Sequence, residues 1–394
     1  MVLTPRDESP RLTTTPPGSG DGRPIRGLEG VVAATTKLCD LDGARGRLAY
    51  QGYDIDDLAG RVRFEEVVWL LWHGELPDPT QLELFRRDLF EASTLPPTVV
   101  KGLRLLPREM HPMRVLQAGL ALLGGLDADA EDGAPEANRR KATRLVAQTA
   151  ALTAAHHRIR QGRRPVAPRA GVPHAANFLY LLAGRRPRAV QLRAFDAALV
   201  LYAEHELNAS TFTARVVGST LADMHSAVSA AVGALKGPLH GGAGEAVMRT
   251  LEEIGTPDQV DTFTRRALAE KRRLMGFGHR VYKSGDPRAR ILRTLAAKAC
   301  QQSGQAIWFD IAVKLHEAVQ REKGLIPNVD FYSAPLFAAL GIPVDLFVPV
   351  IAVSRIAGWT AHLLEQYADN RLIRPRAEYV GPGRRPLPAR APRS

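Results

Sequence analysis

Apolar residues recur at three- to four-residue spacing along almost the whole chain, and this periodicity limits the possible folds more than any other feature. The stretches FEEVVWLLWHGEL (64–76), ATRLVAQTAALTAAHHRIR (142–160) and AFDAALVLYAEHEL (194–207) each put an apolar stripe on one face of a helix. Alternating strand patterns are scarce. GRLAYQGYDI (46–55) reads as a short hairpin or extended pair, and no series of strands separated by helices supports a doubly wound sheet. The expected class is all-α. Loops such as PDPTQ, RAGVP, GLIPN and GIPVD cut the pattern into many short-to-medium helices, a multi-helix globule without internal repeats.

A chain of 394 residues can bury a large core in one domain or in two intimately joined ones. Residues 1–26 are rich in Pro, Gly, Thr and Ser and poor in large apolar side chains, so a disordered tail is expected there. Cys39 and Cys300 are too few for a disulfide framework or a Cys-rich zinc site, which leaves a reducing cytoplasm as the expected compartment. The N-terminus has no signal-like apolar core, and no uncharged apolar run of about 18 residues suggests a membrane span.

The net charge of +12 raises nucleic acid as a partner, so its distribution matters. Residues 371–394 carry seven Arg against one Glu, and residues 139–169 add nine basic residues and no acidic one. The segment 139–169 lacks the interleaved aromatics that single-strand binders use as stacking platforms, and no nucleic-acid partner is expected. A solvated helix face or a docking surface for a polyanionic small molecule, such as a phosphorylated cofactor, fits the basic segments better.

Spacing excludes several common chemistries. Ala209 and Gln320 occupy the positions where HExxH needs its second His after His205-Glu206 and His316-Glu317. GFGHRV (276–281) has Val281 where a dinucleotide fingerprint needs its third Gly, and no strand precedes it. Neither GxxxxGK[ST] nor GxSxG occurs.

What remains is polar residues set in Gly-rich turns. In KGPLHGGAGEAV, His240 stands between Pro238 and Gly241-Gly242, where backbone can approach a ligand and a helix can begin. MGFGHRVYKSGDPRA sets His279 after Gly276 and Gly278, then supplies Arg280, Lys283 and Arg288, a donor density that implies an anionic ligand. NVDFYSAPLF surrounds Asp330 with apolar and aromatic neighbours that raise a carboxylate's pKa toward use as a base. Arg355, Arg374 and Arg376 follow near the end. Packing is the better reading for His225, His316 and His362, which sit in helical patterns.

Taken together, GLEGVVAATT, LAYQGYDIDDLA, FEEVVWLLWHGELP, HPMRVL, AEHELNAST, LKGPLHGGAGEAV, MGFGHRVYKSGDPRA, NVDFYSAPLF and RIAGWTAHLLEQ to RPRAEYVG resemble the citrate synthase family in order and approximate spacing. The resemblance spans about Gly27 to Gly381, and the wording GFGHRVYK is similar to the shorter, dimeric bacterial and archaeal branch that includes the 2-methylcitrate synthases. It implies a large domain (27–240 and 343–381), a small domain (241–342) with the active site in the cleft between them, and a basic C-terminal tail (382–394). It further implies condensation of oxaloacetate with acetyl-CoA, the co-substrate, through an enol, then hydrolysis of citryl-CoA, without metal or permanently bound cofactor. By position, His240 is similar to the residue that stabilises the enol, Asp330 to the base and His279 to the group that polarises the ketone. His205, Arg288, Arg355 and Arg374 fall where the family grips carboxylates, the last across the interface of a homodimer. Phe277, Gly278, Arg280 and Lys283 match the CoA side. Gly244, where the family usually has Asn, and Ala334, where it has Gly, depart from the pattern. A propionyl-CoA-using 2-methylcitrate synthase and a catalytically silent CoA- or anion-binding paralogue are the alternatives.

Overall fold

A computed structural model describes residues 25–386. The tail expected at 1–26 lies outside them but for its last two residues, as does the C-terminal tail from residue 387. Two compact units are present, Thr36–Ile373 and the segments flanking it. Among the described residues of the flanking unit, Arg26–Leu28 form a 3-10 turn and 374–386 have no regular element.

Thr36–Ile373 contains sixteen α-helices and one three-stranded antiparallel sheet among the described residues, in keeping with the all-α expectation. The extended pair expected at 46–55 is part of that sheet: Cys39–Asp42 pairs with Arg47–Tyr50, which pairs with Tyr53–Asp54.

Helix ends follow local chemistry more closely than the periodic pattern does. Phe64–His73 stops three residues early because Gly74 adopts φ 87° and its N–H closes on the Leu70 carbonyl. Pro135–Arg160 starts seven residues early, with Pro135 at a position where a missing N–H costs nothing. Ala189–Tyr202 ends before Glu204 and His205, where the pattern continued. Glu206 takes φ 53°, and Asn208 caps the next helix, Ala209–Gly218, by accepting from the Thr211 N–H at 3.1 Å. The short break at 203–208 keeps Glu204 and His205 buried but outside any helix.

Phe347–Ala368 is the core helix. It packs against Phe64–His73, Pro135–Arg160, Ala189–Tyr202, Ala209–Gly218 and Met224–Leu235. The stretch Val344–Ala368 is long and apolar enough to cross a membrane, yet 89% of its most apolar window is buried inside the protein. Both cysteines are free and buried. His362 is wholly buried between Glu204 Oε1 at 3.0 Å and the Arg215 guanidinium at 3.2 Å, while His316 Nδ1 meets the Tyr332 hydroxyl at 2.8 Å.

Candidate active site

His240 sits in the turn between helices Met224–Leu235 and Ala243–Ile254. The Gly241 N–H donates to the Leu235 carbonyl at 3.0 Å, and a Cβ on Gly241 would lie 2.4 Å from that oxygen, so only glycine lets the turn close. The imidazole is gripped from the Ala209–Gly218 helix: the Ser210 N–H donates to Nε2 at 3.3 Å, and the Ser210 hydroxyl lies 2.8 Å from the same nitrogen. That hydroxyl also lies 2.8 Å from Asn208 Oδ1 and accepts from the Trp359 indole (3.2 Å). Because Nε2 accepts a backbone proton, the hydrogen-bond pattern assigns the ring's own proton to Nδ1.

His279 lies in the loop before helix Pro287–Ser303. Gly276, at φ 84°, would bring a Cβ within 2.6 Å of Val247 and 3.0 Å of Phe331. The loop is sewn to the approach of the next segment by Gly278 N–H to Ile326 O (2.9 Å), Asn328 N–H to Gly276 O (2.9 Å) and Asn328 Nδ2 to Gly278 O (3.0 Å). His279 Nδ1 accepts from the Val281 and Tyr282 N–H groups at 3.0 and 3.1 Å. Its neutral ring therefore carries the proton on Nε2, the opposite assignment to His240.

Asp330 is in the first turn of helix Val329–Ala339, capped by Asn328, whose Oδ1 accepts the Asp330 N–H at 3.0 Å. The Tyr202 hydroxyl donates to Asp330 Oδ1 at 2.9 Å and lies 2.9 Å from the Ser333 hydroxyl. The Tyr202 carbonyl accepts from Arg355 Nε at 2.7 Å, so one residue holds both the carboxylate and a guanidinium. Arg288 is fully enclosed beside Asp286, with Nε and NH2 on its two oxygens at 2.9 and 2.8 Å. Asp286 also accepts the Val329 N–H at 3.0 Å, joining the helices that carry Arg288 and Asp330.

His205 completes the cluster. Its ring centroid is 5.3 Å from that of His279, and Nε2 lies 3.3 Å from the Tyr282 hydroxyl. The Arg288 guanidinium sits 5.9 Å above the Tyr282 ring.

Burial governs the electrostatics. It pushes His240 and His279 down to about 4, assisted by Arg355 and Arg288 respectively, and holds His205 well below the usual imidazole range alongside Arg288, Arg355 and His279. All three rings are neutral donors at pH 7. Burial raises Asp330 to about 6 against the opposing pull of the Tyr202 hydroxyl and Arg288. A carboxylate so placed is ionised at pH 7 and still a stronger base than an exposed aspartate. Two neutral imidazole N–H groups with assigned tautomers, one such base and two buried guanidiniums are the groups needed to remove a proton next to a carbonyl while holding an anion.

A profile of the family "Citrate synthase, C-terminal domain" matches residues 27–376. The chain belongs to the citrate synthase family. Citrate synthase 2 of Bacillus subtilis is 49% identical over 91% of this chain and 96% of its own length. The Citrate/2-methylcitrate synthase of the same organism is 41% identical over 90% and 96%. The solved ternary complex of carboxymethyl coenzyme A and oxaloacetate with citrate synthase from Thermoplasma acidophilum superposes with a TM-score of 0.87. It is 34% identical, covering 92% of this chain and 98% of that one. Membership makes the chain an acyl-transferring enzyme and places its fold among the all-α citrate synthases.

Of the residues singled out from sequence, His205, His240, His279, Arg288, Asp330 and Arg355 are joined by the contacts and fields above. Phe277 packs at a tilt against Phe331, next to Asp330, with ring centroids 4.5 Å apart. Gly278 takes φ 73° in the stitched loop, and Lys283 is exposed beside Arg280, its Nζ 3.4 Å from the Arg280 carbonyl. Arg374 belongs to the flanking unit. Gly244 lies buried in the first turn of Ala243–Ile254, and Ala334 is fully buried in the Asp330 helix. Sequence reasoning missed Tyr202, Ser210, Asp286 and Asn328. Asp286 and Asn328 had a visible signal, a capping residue just before a helix, whereas Tyr202 and Ser210 had none beyond helical periodicity.

Proposed function

We propose that this enzyme condenses oxaloacetate with acetyl-CoA and hydrolyses the resulting citryl-CoA to citrate and CoA. What supports this reading is the pair of oppositely assigned neutral imidazoles, His240 in the field of Arg355 and His279 in that of Arg288, together with a carboxylate, raised to about 6, on which the same two guanidiniums act.

A thioester methyl is too weak a carbon acid to form a free enolate at neutral pH, so proton removal needs simultaneous hydrogen bonding at the thioester oxygen. Asp330 takes the methyl proton while His240 donates from Nδ1 to that oxygen. The enol carbon attacks the oxaloacetate ketone, polarised by His279 Nε2–H. Arg288, Arg355 and His205 hold the substrate carboxylates, and Arg374 of the partner subunit in a homodimer adds a further guanidinium. Phe277, Gly278, Arg280 and Lys283 face the CoA moiety. Movement of residues 241–342 against the remainder keeps bulk water from the intermediate until hydrolysis. Two free, buried thiols, Cys300 raised to about 12, suit a reducing cytoplasm.

Asp330→Asn and His240→Ala each abolish most condensation without preventing oxaloacetate binding, and their combined effect is far from additive because the two groups act in one step. Near wild-type turnover of Asp330→Asn under chemistry-limited conditions overturns the assignment. The relative named Citrate/2-methylcitrate synthase supports propionyl-CoA as a second acyl donor, since 2-methylcitrate carries one methyl group more than citrate. One methylene in a pocket is worth about 1–3 kcal/mol, so kcat/KM measured side by side for the two thioesters decides the preference.

A further inference from the structure

Charge accounting separates the basic segment into two parts. Its first part is neutralised: Arg139 pairs with Glu136, Arg140 with Asp129, and Arg144 with Asp127 and Asp129, while Lys141 is held by the Ala130 and Asp132 carbonyls. The second part is not. Residues 158–195 contain nine arginines and no carboxylate. Among the described residues only Arg160 of these nine has an acidic partner, Asp345.

Three of the unpaired guanidiniums, Arg163, Arg185 and Arg186, surround a cavity of about 280 Å³. They come from different segments, one after helix Pro135–Arg160 and two after helix His174–Ala183, so the tertiary fold gathers them. The floor is apolar, formed by Leu179, Leu182 and Leu340, all buried. His157 also lines it. That ring is held in place: Nδ1 accepts from Arg160 NH2 at 3.2 Å, and Arg160 is itself fixed on Asp345. Nε2 of His157 therefore carries the proton and is a positioned donor. Burial and Arg160 hold the ring down at about 4, so it is neutral.

Exposed like charges repel unless a counter-ion joins them, and three arginines lining a concave, apolar-floored site match a ligand that is anionic at one end and apolar at the other. An extended nucleic acid fits less well, because none of the described residues lining the cavity is Phe, Tyr or Trp, and Tyr180, next to Leu179 in the chain, is covered by Arg169 at 5.4 Å. We propose that this cavity binds a small molecule bearing two or more phosphate groups and a planar or apolar portion. The site shares no residue with the substrate site. Its Leu340, Gly341 and Pro343 wall directly follows Val329–Ala339, the helix that carries Asp330.

The test is calorimetric titration of the full-length protein, already saturated with oxaloacetate and CoA, with inorganic pyrophosphate and with ADP. The expected result is one saturable site per chain, tighter for ADP than for pyrophosphate, weakened about tenfold or more in Arg163→Gln/Arg185→Gln/Arg186→Gln. These side chains are exposed, and an unchanged thermal melt shows that the variant is folded. No saturable binding up to about 10 mM overturns the proposal, as does equal binding by the variant or displacement by additional CoA. Loss of oligonucleotide binding in the variant, with no pyrophosphate binding by wild type, also overturns it and assigns the patch to nucleic acid. Failure of the condensation reading leaves this test intact, since the titration without substrates reads the same three arginines.

Discussion

Replacing Tyr202 by Phe removes one hydroxyl from a fully enclosed site and leaves the ring packing in place. The hydroxyl donates to Asp330 Oδ1 at 2.9 Å, and that hydrogen bond is the largest influence holding the carboxyl down against burial. A hydrogen bond to a charged group is worth about 1.5–3 kcal/mol, and each pKa unit corresponds to about 1.4 kcal/mol, so its loss raises Asp330 by about one to two units from about 6. At pH 7 the ionised fraction then falls from about 90% to between about 50% and 10%. The expected result is a roughly two- to tenfold lower kcat at pH 7, with an acid limb displaced upward and most of the loss recovered near pH 9. KM for oxaloacetate changes little, because the backbone carbonyl that holds Arg355 remains. Initial rates of CoA thiol release at saturating substrates, from pH 5.5 to 9.5, measure both quantities. An unmoved acid limb, or a loss equal at every pH, would falsify the view that Tyr202 sets the basicity of Asp330.

Three further perturbations probe other parts of the argument. Asp286→Ala strands the buried Arg288 guanidinium and the Val329 N–H, costing about 3–5 kcal/mol, so a melting temperature within a degree of wild type contradicts the ion-pair assignment. In a purified heterodimer of one Asp330→Asn chain and one Arg374→Ala chain, one site carries both defects and the other neither; activity near half of wild type is expected if sites act independently, and mixed dimers as inactive as their parents show that Arg374 acts within its own chain or that coupling between sites silences the intact one. Acid destabilises the fold between pH 6.5 and 4: His156, His157, His174, His240 and His279 are held down to about 4 and His205 well below the usual imidazole range, so the unfolded chain takes up their protons first. Asp330, raised to about 6, and Asp196, raised to about 7, act in the opposite sense but are outnumbered, so thermal melts at pH 7 and 5 should show the lower temperature at pH 5.

Helical periodicity, and glycines placed where no side chain fits, are local properties, which is why the all-α class and the turns around His240 and His279 were legible in the chain alone. Local chemistry already hinted at more than was read: Asn328 and Asp286 are capping residues, and capping chemistry set the ends of Phe64–His73 and Ala189–Tyr202 where periodicity overran them. The proton positions were not legible. His240 and His279 look alike in sequence, each a histidine in a Gly-rich turn, yet one is held at Nε2 by Ser210, thirty residues earlier, and the other at Nδ1 by its own loop. Tyr202 meets Asp330 across 128 residues of chain, and no periodic signal marks a hydroxyl whose partner is that distant. The basic segments show the same division: composition displayed the excess charge, but only the folded chain decided which arginines have carboxylate partners and which three share a cavity. Spacing along a chain sets which side chains share a face of one helix, whereas pKa shifts, tautomers and ion pairs depend on burial and on neighbours that other helices bring within a few ångströms.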